Sequence, residues 1–199
     1  MMILRYIGCA VIAYLLGSIS SGILLTKNSG HDIRKEGSGN TGASNALRVF
    51  GLRTGLATFI CDVLKAAISV LIGKALAGEN GGMLAGLFVI IGHNWPLFFG
   101  FKGGKGIACS CAVVLLNFPI PGLIAILICI AAIALTRYIS LGSMLLLTSY
   151  AIIICATKPF WPHGVWAIVL AVMAIARHHA NIKRLINGTE NKLSFKKKA

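Results

Sequence analysis

Acidic residues are almost absent from this chain: Asp32, Glu36, Asp62, Glu79 and Glu190 are the five among 199 residues. Five scattered carboxylates cannot assemble the oxygen cluster that Mg²⁺ requires, which excludes a metal-dependent phosphotransferase. Charge of either sign is scarce. Charged residues make up 12% of the chain, about half the share in soluble domains, while 57% are hydrophobic and mean hydropathy is +0.84. No room is left for a soluble domain, and the composition is that of an integral membrane protein. Paired cysteines are missing too. Cys9, Cys61, Cys109, Cys111, Cys129 and Cys155 all lie in apolar stretches, and none forms a CxxC pair. Buried thiols are expected, with no disulfide, metal or cofactor. No histidine is followed by an aspartate in a His-x4-Asp pattern, so acyltransferases built on that dyad are excluded.

What the chain does have is apolar runs near the length of about 20 residues that a membrane helix needs. They cover Ile3–Leu25, Gly55–Ala77, Met83–Phe101, two short spans within Ile107–Thr136, Ile139–Thr157 and Phe160–Ala176. The run from Ile107 is divided by Asn117-Phe-Pro-Ile-Pro-Gly122, where two prolines cannot continue a helix. The expected fold is therefore all-α: one polytopic domain over residues 1–199 with seven transmembrane helices. If the two short spans form a re-entrant hairpin, the count is five plus that hairpin.

The 19 Lys and Arg residues, for a net charge of +14, sit mainly in gaps between apolar runs. That placement speaks for cytoplasmic loops facing anionic lipid and against nucleic acid. Lys27, Arg34, Lys35, Arg48, Arg53, Lys102, Lys105, Arg137, Arg177, Lys183, Arg184, Lys192 and Lys196 to Lys198 fall on one side. Only Arg5, Lys74 and Lys158 fall on the other. The N-terminus is accordingly expected outside and the C-terminus in the cytoplasm. Within a span, Asp62 and Lys65 share a helical face, as a structural pair or as support for a site.

Three polar constellations fall on the loaded side. The first is Gly37-Ser-Gly-Asn-Thr-Gly42 with Asn45 and Arg48. It matches GxGxxG, but without a strand before it dinucleotide binding is excluded. Its glycines let backbone amides approach an anion, so Gly37, Ser38, Gly39, Asn40, Asn45 and Arg48 are candidates for an anion site. The second is His93-Asn-Trp-Pro96 with Gly103-Gly-Lys-Gly106. This is no Walker A motif; Gly103, Gly104, Lys105 and Gly106 at a helix start form a candidate phosphate nest, with His93 and Asn94 beside it. The third is Arg177-His178-His179-Ala-Asn181-Ile-Lys-Arg184, ending at Glu190. On a continuing helix Arg177, Asn181 and Arg184 share one face. A carrier would show midplane charges and inverted repeats; the chain has one intramembrane pair, no convincing repeat and its polar residues massed on one face, and a purely structural protein has no use for three anion-binding loops.

At these residues the sequence resembles the acyl-phosphate:glycerol-3-phosphate acyltransferase family of bacterial membranes. The resemblance rests on Gly37–Asn45 with Arg48, on Gly92–Pro96 with Gly103–Ala108, and on Arg177-His178, Asn181-Ile182, Arg184-Leu185, Gly188 and Glu190, and it covers essentially the whole chain. Ser44 and Cys109 depart from it, each standing where threonine is common in that family. The resemblance implies acyl transfer from acyl phosphate to the 1-hydroxyl of glycerol 3-phosphate, at the cytoplasmic face of the inner membrane, by a monomer in contact with lipid. The products are lysophosphatidic acid and phosphate. Acyl phosphate is already an activated anhydride, so positioning and charge neutralisation are enough. The expected catalytic residues are Ser38, Arg48, Lys105, His178 and Asn181, with Arg184 and Glu190 among the substrate-binding ones. Either His178 or the donor phosphate takes the hydroxyl proton.

Overall fold

The computed structural model describes residues 1–193, so the expectation for Lys196 to Lys198 lies outside the described residues. Among the described residues the regular structure is helical, with no strand: α1 Met2–Gly17, α2 Ser21–Thr26, α3 Ala43–Phe50, α4 Leu52–Asn94, α5 Ile107–Asn117, α6 Pro119–Thr136, α7 Ile139–Thr157, α8 Val165–Arg177 and α9 His179–Ile186. The chain divides into two compact units, Met1–Asn117 and the part from Phe118 onward. Among the described residues, five segments are long and apolar enough to cross a membrane: Met2–Ser29, Leu52–Phe99, Pro119–Thr136, Ile139–Thr157 and Phe160–Arg177. Ile107–Asn117 is a shorter apolar helix.

In the first unit α4 is two limbs rather than one rod. Its backbone leaves helical geometry at Ala77 and Gly78. As a straight helix, residues 62 and 93 would stand roughly 46 Å apart, yet Asp62 Oδ1 is 3.4 Å from His93 Nδ1. The limbs run antiparallel and meet where Gly73 faces Gly81; a Cβ on Gly73 would lie 2.4 Å from the Gly81 carbonyl oxygen. The gap expected between the spans Gly55–Ala77 and Met83–Phe101 thus narrows to a turn at Ala77 and Gly78, and Gly81 and Gly82 are helical. On the first limb Leu56, Phe59, Ile60, Leu64, Ile68 and Leu71 are exposed, while Asp62, Lys65, Ser69 and Val70 are buried. An apolar outer face over a polar inner one is the arrangement lipid selects. At the hairpin end the Lys74 ammonium donates to the Leu116 carbonyl, one left open at the C-terminus of α5, and Asn117 Nδ2 donates to the Val113 carbonyl at 2.9 Å.

The run from Ile107 is divided as expected, and the prolines sit on the far side of the break. The helix breaks at Phe118, and Pro119 and Pro121 open α6, since proline's missing N–H costs nothing in a first turn. The last span also starts late, with Val165 as the first α-helical residue after a wide turn over Phe160–Gly164. Phe118, Tyr150 and Trp166 pack edge to face there, with centroids 6.1 Å apart in both Phe118–Trp166 and Tyr150–Trp166.

Candidate functional site

The first two constellations leave the same end of the first unit, opposite the Ala77–Gly78 turn. Ser18 Oγ between α1 and α2 accepts the Leu97 amide at 3.2 Å, and a Cβ on Gly22 of α2 would lie 2.0 Å from the Thr41 carbonyl oxygen.

The Gly37–Gly42 loop is shaped by Asn45. This residue is 1% exposed; its Oδ1 accepts the Ser38 amide at 2.9 Å, and its Nδ2 donates to the carbonyls of Ile33 at 3.3 Å and Glu36 at 3.0 Å. Asn45 was expected among the anion-binding residues; here its amide is spent holding the loop, and it does not share Arg48's surroundings, because Arg48 is exposed. Asn40 likewise bonds inward, its Oδ1 accepting the Gly42 amide at 3.0 Å. Gly37 and Gly39 take positive φ, 58° and 69°, a conformation glycine adopts without strain, and Ser38 between them is exposed. On the flank, Arg34 pairs with Asp32 at 2.9 Å and holds that carboxyl down at about 2. His31 and Glu36 lie 3.2 Å apart.

The Gly103–Gly106 loop folds around His93. The Gly104 amide donates to the His93 carbonyl at 3.0 Å. A Cβ on Gly103 would lie 2.1 Å from that oxygen, and one on Gly104 would lie 1.9 Å from His93 Nε2. These glycines are needed for packing on His93, beyond any approach to an anion. Lys105 is half-buried. Asn94, fully buried, has no hydrogen bond to its amide oxygen or nitrogen among the described residues, and its Oδ1 lies 3.1 Å from where a Gly106 Cβ would be. An unpartnered buried amide beside the start of α5 is a group able to bind a ligand.

Behind His93 lies a charged cluster that the sequence showed only as the Asp62–Lys65 pair. Lys65 Nζ is 2.9 Å from Asp62 Oδ1 and 3.1 Å from His93 Nδ1, and Ser21 Oγ donates to Asp62 Oδ1 at 2.9 Å. Asp62, His93 and Cys109 have their ligand atoms within 4.8 Å of one another. An ammonium already stands between the carboxylate and the imidazole, so the cluster is built as an ion pair. His93 comes from the second limb of α4 and Ser21 from α2, both distant in sequence, and no local spacing announces their joining.

The third constellation belongs to the second unit. The helix expected to continue through it is interrupted at His178, between α8 and α9. His178 is buried and its Nδ1 lies 2.8 Å from the Ala174 carbonyl. That acceptor selects the Nδ1–H tautomer, so the lone pair of the neutral ring is on Nε2. Glu190 organises the rest: its Oε1 accepts Ser140 Oγ at 2.8 Å and Asn181 Nδ2 at 2.7 Å, and its Oε2 accepts Arg184 Nε at 2.7 Å. Burial works against ionisation of Glu190, but these three bonds outweigh it and hold its carboxyl below the usual value. Asn181, Arg184 and Glu190, all expected to meet substrate, bond to one another. Ser140, fifty residues away, completes the clamp without any signal in the sequence.

Fold and site together define a multi-pass helical membrane protein with polar glycine loops at one end of its first unit. Residues 7–188 match the family described as Glycerol-3-phosphate acyltransferase. The chain is 48% identical over 191 residues to the Glycerol-3-phosphate acyltransferase of Thermoanaerobacter pseudethanolicus, covering 94% of this chain and 95% of that one. It is 43% identical to that of Clostridioides difficile, covering 99% and 100%. The solved structure of PlsY (YgiH), an integral membrane glycerol 3-phosphate acyltransferase, in its glycerol 3-phosphate form superposes with a TM-score of 0.89 at 36% identity, covering 95% of this chain and 96% of that one. Its lysophosphatidic acid form gives 0.86. This chain belongs to the integral-membrane glycerol-3-phosphate acyltransferase family, the PlsY family.

Proposed function

We propose that this protein transfers a fatty acyl group from acyl phosphate to the 1-hydroxyl of sn-glycerol 3-phosphate, releasing lysophosphatidic acid and inorganic phosphate. The supporting observation is that the two glycine loops, with Ser38, Arg48 and Lys105, leave the same end of the first unit, beside the unpartnered Asn94 amide. Donors gathered in this way suit two phosphate-bearing substrates. Relatives named for the glycerol 3-phosphate and lysophosphatidic acid forms support the acceptor and the product.

In this reading the acyl carbonyl is attacked by the glycerol hydroxyl while phosphate leaves. Arg48 and Lys105 neutralise phosphate charge, and Ser38 orients a hydroxyl or polarises the carbonyl. For His178, Asn181 and Arg184 the support is the family resemblance. The neutral His178 ring receives the hydroxyl proton at Nε2, or holds the acceptor while the donor's phosphate takes it.

The chain crosses the membrane seven times in this reading. The folded-back Leu52–Phe99 counts as two crossings and Ile107–Asn117 as a short one. The site faces the cytoplasm at the inner membrane in this reading, which the basic loops support. The deciding experiment incubates purified protein with acyl phosphate and glycerol 3-phosphate and quantifies lysophosphatidic acid. No product from acyl phosphate, with turnover from acyl-CoA, would overturn the donor assignment.

A further inference from the structure

We propose that Asp62 and Lys65 are positioning residues that set both glycine loops of the first unit through two separate arms; their effect on the reaction rests on the reading proposed above. The first arm is His93. Its Nδ1 lies 3.4 Å from Asp62 Oδ1 and 3.1 Å from Lys65 Nζ. Its Nε2 edge and its carbonyl are the surfaces on which Gly103 and Gly104 are moulded. Moving the ring moves the backbone that carries Lys105.

The second arm is α2. Ser21, its first residue, donates to Asp62 Oδ1 at 2.9 Å, and Lys65 Nζ donates to the Gly17 and Ile19 carbonyls at 3.1 and 2.7 Å. These carbonyls lie at the break between α1 and α2, where the helix ladder leaves them open. Gly22 then abuts the Thr41 carbonyl of the loop that carries Ser38. One ion pair therefore reaches both loops from behind.

Stability does not account for this pair. Charges buried among membrane helices are expensive, and replacing a buried ion pair by apolar residues is often neutral or stabilising. Asp62, 0% exposed, also leaves Oδ2 without a hydrogen bond among the described residues. A pair selected only to hold helices together would not leave a carboxylate oxygen unpaired.

The test uses full-length protein in lipid nanodiscs, comparing wild type with Asp62→Leu/Lys65→Met, which removes both charges together, and with Ser21→Ala, which removes one hydroxyl. Melting temperature, backbone hydrogen exchange and steady-state kinetics are read. The double variant is expected to keep its melting temperature. Exchange at residues 102–106 should rise about tenfold or more, with kcat/KM for glycerol 3-phosphate falling about 100-fold, the scale of an ångström's misplacement. Ser21→Ala should speed exchange at residues 37–42 and leave residues 102–106 alone. A folded double variant with wild-type exchange and kinetics overturns the proposal. If the double variant does not fold, Ser21→Ala decides: unchanged loop exchange and unchanged kcat/KM overturn it. Should wild type prove inactive with acyl phosphate, the functional reading fails, while the exchange comparison still decides the positioning role.

Discussion

Asn45→Asp separates a loop clamp from a ligand more sharply than any truncation, because it preserves the shape of the side chain. Oδ1 can still accept the Ser38 amide, 2.9 Å away in the native protein. The second oxygen, however, now faces the carbonyls of Ile33 and Glu36, to which Nδ2 donated at 3.3 and 3.0 Å. The Glu36 carbonyl keeps the Gly39 amide at 2.9 Å, but the buried Ile33 carbonyl loses its donor, and at about 1–3 kcal/mol for an unmet group the variant should lose about that much. The lower figure corresponds to a melting temperature reduced by about 2 °C or more. Ser38 moves with the loop, so kcat should fall by about tenfold or more.

The charge adds a pH signature. Burial at a site 1% exposed raises the introduced carboxyl's pKa above its unfolded value of about 3.9. A group whose folded pKa is raised contributes its stability below the unfolded pKa and loses it as pH rises. The deficit against wild type should accordingly be larger at pH 8 than at pH 5, where the protonated form can also donate to one carbonyl. Thermal unfolding in detergent, followed by a thiol-reactive fluorophore that reports buried Cys9 and Cys109, measures both. A variant that melts like wild type at both pH values, with only a substrate KM raised, would refute the clamp and restore Asn45 as a ligand.

Gly104→Ala should lower kcat/KM about 100-fold, because the new Cβ would stand 1.9 Å from His93 Nε2 and the ring or the loop must yield. Gly8→Ala, with nothing within 4 Å, should leave activity unchanged, and a normal Gly104→Ala enzyme would sink the packing argument. Glu190→Gln should cost about 1–3 kcal/mol by weakening the bonds from Arg184 and Asn181, read as a lower melting temperature. With its folded pKa depressed, Glu190 contributes stability above about 4.3, lost only as pH falls below that; wild-type melting that weakens already between pH 8 and 6 would contradict this account if the loss disappears in Glu190→Gln. Turnover of acyl phosphate should persist in excess EDTA, with loss and recovery on Mg²⁺ addition overturning a metal-free mechanism.

Much of the architecture was legible because lipid imposes it. The apolar runs, the break near Phe118 and the polar gaps follow from what hydrocarbon tolerates. The errors are local. Pro119 and Pro121 lie inside the first turn of α6 rather than in a loop, and the turn at Ala77–Gly78 is shorter than a run of polar residues and glycines implied. Lys74, at the hairpin end away from the basic loops, also reaches a carbonyl of α5 that no sequence signal announced. A long flexible stem finds partners that hydropathy cannot see.

The site was harder to read for a different reason. Residue type and helical spacing say which groups can bond and which face they occupy, but they do not say with whom. Asn45, Asn181, Arg184 and Glu190 carry the donors and acceptors of a binding site, and each of them bonds within the protein. A loop that offers its backbone to a ligand must itself be held, and amides and carboxylates hold it at the cost of their own availability. Near a glycine loop, then, a polar side chain that is buried argues for shaping the loop, and one that is exposed, as Ser38 and Arg48 are, argues for meeting the substrate. Asn94 is the informative exception: fully buried, it has a partner for neither end of its amide among the described residues. A buried amide without partners is costly, so its presence beside Gly106 makes sense when something that is not part of the chain completes it.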